Sequence, residues 1–184
     1  MFRKLIVGLV STFMVGCASI PEALVTESPA PISDIRDLEG QIQQSAGQDV
    51  RLGGIIAAIS NGQSQTRLEI VAVPIGSDAR PKIKSKPQSR FVAYVDGFLE
   101  PMEYQPGRLI TVAGKVQGKE QGKVGEYDYT YPVVSATGTK LWTVKQEIWI
   151  DDFDRFPPCF GVHCRQNTWY GGYSRGEVRE RVTP

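Results

Sequence analysis

Five runs in which apolar and polar residues alternate, separated by glycine, proline and asparagine, occupy the middle of the chain. Residues 50–60 are rich in isoleucine, contain Gly53-Gly54 and end at the turn pair Asn61-Gly62. Residues 66–73 place Leu68, Ile70 and Ala72 on one face and Arg67, Glu69 and Val71 on the other. Residues 91–96 group Phe91, Ala93 and Val95; residues 108–116 follow Pro106-Gly107 and carry Leu109, Ile110 and Val112. Residues 126–134 set Tyr127, Tyr129, Tyr131 and Val133 on one face, and residues 140–150 read as a sixth strand or an extended arm. A period of two over such lengths is the pattern of half-buried strands. Five strands are the count of a small Greek-key barrel of the OB type. A glycine-containing first strand suits it, because closing a barrel needs bends. No long helical pattern follows any strand, which argues against a parallel α/β sheet. The 19 glycines and 12 prolines supply the turns.

Upstream, Ile35, Leu38, Ile42 and Ala46 fall on one helical stripe. Ser33 can cap it, Asp34 and Asp37 suit its first turn, and Gly47 can end it, although Gly40 weakens it by about 1 kcal/mol. The expected fold is therefore mainly β: a small OB-like Greek-key barrel of five to six strands, with one short N-terminal helix and an irregular C-terminal tail.

The first residues constrain location. Arg3 and Lys4 precede a mostly apolar run over residues 5–16, too short to span a bilayer and the right length for the core of a signal peptide. It ends in Met14-Val15-Gly16-Cys17, which resembles the lipobox of bacterial lipoproteins with Met14 in place of the usual leucine. Residues 1–16 then read as a leader and Cys17 as the acylated first residue, the alternative being an ordinary secretory peptide with a coincidental cysteine. Ala18 and Ser19 follow, and the family rules for such lipoproteins then favour the outer membrane over inner-membrane retention. Pro21, Pro29 and Pro31 oppose a helix, so residues 17–32 read as the lipidated cysteine and a tether, with 18–32 reaching at most about 50 Å. The body spans 33–150 and the tail 151–184.

Charge excludes some functions. Lys plus Arg number 21 and Asp plus Glu 20; loss of Arg3 and Lys4 leaves a net −1, so the chain is no overall basic nucleic-acid binder. With one histidine, a multi-His metal site is impossible. With Cys17 acylated, Cys159 and Cys164 remain as an even pair, for which an oxidising periplasm makes a disulfide the default. Metal binding by Cys159, His163 and Cys164 is the alternative, one ligand short of a tetrahedral site. No metal or cofactor is expected.

Residues 50–134 resemble the Slp family, starvation-inducible outer-membrane lipoproteins of Gram-negative bacteria. The blocks responsible are Val50-Arg51-Leu52-Gly53-Gly54-Ile55-Ile56, Thr66-Arg67-Leu68-Glu69-Ile70, and Arg90-Phe91 leading to Gly97-Phe98-Leu99-Glu100-Pro101. Tyr104-Gln105-Pro106-Gly107-Arg108-Leu109-Ile110-Thr111-Val112-Ala113-Gly114 and Gly125-Glu126-Tyr127-Asp128-Tyr129-Thr130-Tyr131-Pro132-Val133-Val134 complete the set. The resemblance implies an envelope protein linked to stationary phase or stress, and brings no catalytic residue or cofactor; the expected orientation is toward the periplasm.

Several constellations are candidates for function. Tyr127, Tyr129 and Tyr131 can form a stacking platform for an envelope glycan, or a row that fills the core. Arg80, Lys82, Lys84, Lys86 and Arg90 form an acid-free basic loop that can meet anionic headgroups or remain solvated. Glu69, Asp96, Glu100 and Glu103 would be the carboxylates of a glycan-cleaving alternative. Asp151, Asp152 and Asp154 lack calcium-loop spacing. Trp142, Trp149, Trp169, Tyr170 and Tyr173, with Arg165 and Arg175, can dock a protein partner or fold back over the barrel. The resulting expectation is a non-catalytic envelope binding or scaffolding module, held to the membrane by its cysteine.

Overall fold

The computed structural model describes residues 20–150 and 176–184. The leader, Cys17, the Cys159/Cys164 pair with His163, the Asp151–Asp154 run and the aromatic stretch from Arg165 to Arg175 lie outside the described residues.

Six strands follow in order: β1 (Asp49–Asn61), β2 (Gln65–Val73), β3 (Arg90–Asp96), β4 (Leu109–Val124), β5 (Tyr127–Ile150) and β6 (Gly176–Thr183). They lie side by side as β3-β2-β1-β4-β5-β6. β3 also pairs in parallel with β5, from Val92 opposite Val133 to Val95 opposite Ala136. That pairing joins β1 to β5 into the expected OB-like ring, not evenly disposed about an axis, and leaves none of the five with two free edges. The expected fifth and sixth strands are one 24-residue strand, β5. Register shifts in β4 at Ala113/Gly114 and Val116/Gly118 let the β4–β5 hairpin curl, because a bulge bends its strand and adds twist. Gly54 answers another close approach: a Cβ there would collide with the Ile70 side chain and the Val71 carbonyl.

Alternation sorts the side chains into two apolar layers. Leu68, Ile70, Phe91, Ala93, Ile110, Val112 and Val134 point into the ring and are buried. Burying each large one contributes about 1.5–3 kcal/mol. A second cluster lies outside the ring: Leu24, Ala79, Leu109, Ala113, Trp142 and Val182, with Ile20, Ile55, Ile75 and Ile83 against it. Two of its buried polar side chains are bonded in series. Trp142 Nε1 donates to Thr111 Oγ1 at 3.0 Å, and Thr111 Oγ1 donates to the Ala79 carbonyl at 2.7 Å.

Three expectations change. The N-terminal helix is only a 3-10 turn, Ile35–Asp37, capped by the Asp34 side chain rather than Ser33 and followed by turns to Gly47. Gly40 at φ +80° interrupts the helix, a conformation easy for glycine and incompatible with continuing a right-handed turn. The apolar stripe is nevertheless used, since Ile35 and Leu38 are buried in the barrel core. The tail is not wholly irregular: β6 pairs with the far half of β5 from Thr143 opposite Thr183 to Ile150 opposite Gly176. Residues 20–32 are not a free spacer but a strap on the barrel. Leu24 is fully buried, Arg51 Nε donates to its carbonyl at 2.8 Å, and Ile32 bridges to Val50. Asp49 accepts from the Ser28 N–H at 2.6 Å and pairs with Lys115 at 2.8 Å, and Lys115 also reaches Glu27 at 2.9 Å.

Candidate functional site

The outer face of β2 and β3 carries Arg67, Glu69, Arg90 and Tyr94, because the inward positions take the apolar residues. The tip half of the β4–β5 hairpin folds back over this face. Arg67 Nε and Nη2 donate to Glu120 Oε1 at 3.0 and 2.9 Å, and the Tyr94 hydroxyl donates to the other Glu120 oxygen at 2.6 Å. Arg67 also stands 5.6 Å from the Tyr131 ring centroid, a cation–π distance. Arg90 Nη1 donates to Glu69. The bond to Glu120, with burial behind it, holds the Tyr94 phenol above its ordinary range. Burial pulls Arg67 down, but the hydrogen bond and charge of Glu120 outweigh it and leave the guanidinium raised.

The tyrosine row is graded, neither a uniform platform nor a core. Tyr131 is 1% exposed and donates its hydroxyl to the Lys123 carbonyl at 3.0 Å. Tyr129 is half-buried, 4.7 Å from Tyr131 between centroids, and its hydroxyl accepts the Arg90 N–H at 2.9 Å. Tyr127, at the start of β5, is 73% exposed. Tyr127 and Tyr129 line an open groove of about 400 Å³ with Glu39, Asp128 and Ser89. The Ser89 hydroxyl is buried and lacks a hydrogen-bond partner among the described residues. In barrels of this type the face of the second and third strands commonly takes extended ligands. Here the hairpin covers it, and the accessible part of the tyrosine row lies at the hairpin's own tip.

The five cations of the basic segment do not form one patch. Arg80 is a rivet: it donates to the Val182 carbonyl at 3.1 Å, pairs with Asp78 at 3.2 Å and stands 5.6 Å from the Trp142 ring centroid. Arg90 belongs to Glu69. Lys82, Lys84 and Lys86 are exposed and make no ion pair within 4.0 Å among the described residues. Nor are the four candidate carboxylates gathered in the groove. Glu69 is held by Arg90, Asp96 accepts the Gln65 amide at 2.9 Å, and Glu100 and Glu103 are exposed in the β3–β4 connection. Sequence reasoning missed Glu120 and Tyr94; the alternation of 66–73 placed Arg67 outward, but nothing local marked its partner.

A small OB-like barrel with an N-terminal strap and a polar outer face defines the class of protein. Residues 14–173 match the profile described as "Outer membrane lipoprotein Slp family", and the chain belongs to that family. It is an outer-membrane lipoprotein, and among the described residues no helix is long and apolar enough to cross a membrane. It is 36% identical over 146 residues to "Uncharacterized lipoprotein YeaY" of Escherichia coli (strain K12), covering 79% of this chain and 75% of that one. An "Uncharacterized protein" of Haemophilus influenzae is 34% identical over 160 residues, 85% of this chain and 86% of its own. "Outer membrane protein Slp" of Escherichia coli (strain K12) is 27% identical over 175 residues, 95% and 92% of the two chains. No solved structure matches.

Proposed function

We propose that this lipoprotein is acylated at Cys17, faces the periplasm, and binds an envelope saccharide in the tyrosine groove without turning it over, as a scaffold used under starvation or envelope stress. The observation that carries this reading is Tyr127. A tyrosine left 73% exposed beside half-buried Tyr129, in a groove that also carries the exposed Glu39 and Asp128 carboxylates, offers a stacking face and hydrogen-bond acceptors together. Sugar rings use both kinds of contact. In the same reading Cys159 and Cys164 form a disulfide, which would leave no labelled thiol in the denatured protein.

The test is calorimetric titration of the full-length protein in detergent with muropeptides and with lipopolysaccharide core oligosaccharides. Tyr127→Ala should weaken binding by about threefold to tenfold, the loss of one aromatic contact. Unchanged affinity in that variant sinks the groove assignment. Cleaved saccharide seen by mass spectrometry would overturn the non-catalytic part.

A further inference from the structure

β5 and β6 leave the barrel together as a two-stranded ribbon, and its faces differ. Directly opposed residues of an antiparallel pair share a face, and successive residues alternate. One face therefore carries Trp142, then Val144 opposite Val182, then Ile148 opposite Val178. Trp142 and Val182 are buried in the outer apolar cluster; Val144 is 40% exposed, Val178 57% and Ile148 69%. The apolar surface thus runs from the barrel out along the ribbon. Its one polar interruption is Gln146 opposite Glu180, whose side chains bond each other at 3.0 Å. The other face is charged, with Glu177 pairing Arg179 at 2.9 Å and Arg179 standing 5.1 Å from the Trp149 centroid.

Ile20 packs against the same outer cluster. Three peptide steps separate it from Cys17, so the two Cα atoms are at most about 11 Å apart. Since residues 20–32 are fixed to the barrel at Leu24, Ser28 and Ile32, the strap cannot pay out slack between anchor and body. Ile83 of the basic loop packs on this cluster too, between exposed Lys82 and Lys84. Arg80, at the start of the same segment, donates to the Val182 carbonyl at 3.1 Å, so the loop leaves from the base of β6.

We propose that the outer cluster and the ribbon that continues it form a membrane-docking surface, with Val144, Ile148 and Val178 at the headgroup–acyl boundary and Lys82 and Lys84 on anionic headgroups. This rests on acylation at Cys17. A lipid surface is the occupant because the anchor leaves this face little room to stand away from the leaflet that holds it. Apolar side chains beside lysines match the two layers of a headgroup region. The tyrosine groove, at the opposite end of the 24-residue β5, would face away from that leaflet.

The test reads two quantities on the full-length protein. Its intact mass reports the lipid. Lysine acetylation footprinting, in detergent and then in phosphatidylethanolamine–phosphatidylglycerol vesicles, reports the docked face. Lys82 and Lys84 should react about threefold or more slowly in vesicles, while exposed Lys123 at the hairpin tip keeps its rate. Ile148→Ser with Val178→Ser, both at exposed positions, should relieve that shielding. Equal shielding at all three lysines, or none, in protein of lipidated mass overturns the docking surface and leaves the anchor standing. A mass without lipid overturns the anchor instead. Undiminished shielding in phosphatidylcholine vesicles would remove the role of the lysines.

Discussion

The two ends of β5 share one backbone conformation and have opposite fates. At its start the chain alternates Tyr127, Tyr129 and Tyr131 with polar residues, and burial deepens along the row until Tyr131 is enclosed by Arg67 and the Lys123 carbonyl. At its far end Val144 and Ile148 alternate just as regularly, yet both are exposed. The difference is the neighbour. The first half lies against the parallel strand β3 and the outer face of β2, where the Arg90 N–H meets the Tyr129 hydroxyl and the Arg67 guanidinium stands over the Tyr131 ring. Among the described residues the second half has only β6 beside it, and a two-stranded ribbon by itself does not cover its own apolar face. Amphipathic strands do not bury themselves; a packed partner does it.

The sharpest way to break this comparison is truncation at each end. Tyr131→Ala should destabilise the barrel by about 3–5 kcal/mol, as removal of a buried aromatic does. Ile148→Ala should stay within about 0.5 kcal/mol, as an exposed substitution does. Urea midpoints of the two variants test this, and similar losses would mean the ribbon is covered in solution. A smaller effect separates the polar contribution at the tyrosine end. Tyr131→Phe keeps the ring and leaves the Lys123 carbonyl without its donor, and should cost about 1 kcal/mol in the same assay.

The smallest effect concerns the strap, whose Leu24 packs with Trp142 and Val182 at the base of the ribbon. The Lys115 bond, and then the Ser28 N–H, hold the Asp49 carboxyl below the usual aspartate range. A carboxyl lowered in the folded state stabilises above its unfolded pKa, and that contribution is lost as pH falls through the folded value. Asp49→Asn should therefore be less stable than the native chain at neutral pH and converge with it in strong acid. A gap that is the same at both pH values would show that the pair does not secure the strap.

Much of the barrel was legible from local pattern. Alternation at 66–73 and 91–96 named the residues that enter the core, because a strand whose one face is buried cannot exchange its faces without placing Arg67 or Arg90 inside. The stripe of Ile35 and Leu38 was legible as buried and misread as helix, since periodicity reports which residues face the core and not whether glycine interrupts the turn between them. Within residues 20–32 the prolines left room only for the 3-10 turn Glu22–Leu24, and they suggested a spacer where the chain packs on the barrel. Pro21, Pro29 and Pro31 set backbone angles; they carry no information on the Arg51 guanidinium and Asp49 carboxylate that receive the strap.

By itself, then, the sequence determined the first four strands, their inward faces and the lipobox-like start, all of which depend on residues a few positions apart. The tertiary structure decided the meeting of Glu120 with Arg67, the covering of one tyrosine and the exposure of another, and the gathering of Ile20, Ile83, Trp142 and Val182 in one outer layer. Those contacts join residues tens of positions apart. Ring closure brings them together, and no local preference encodes where a ring will close.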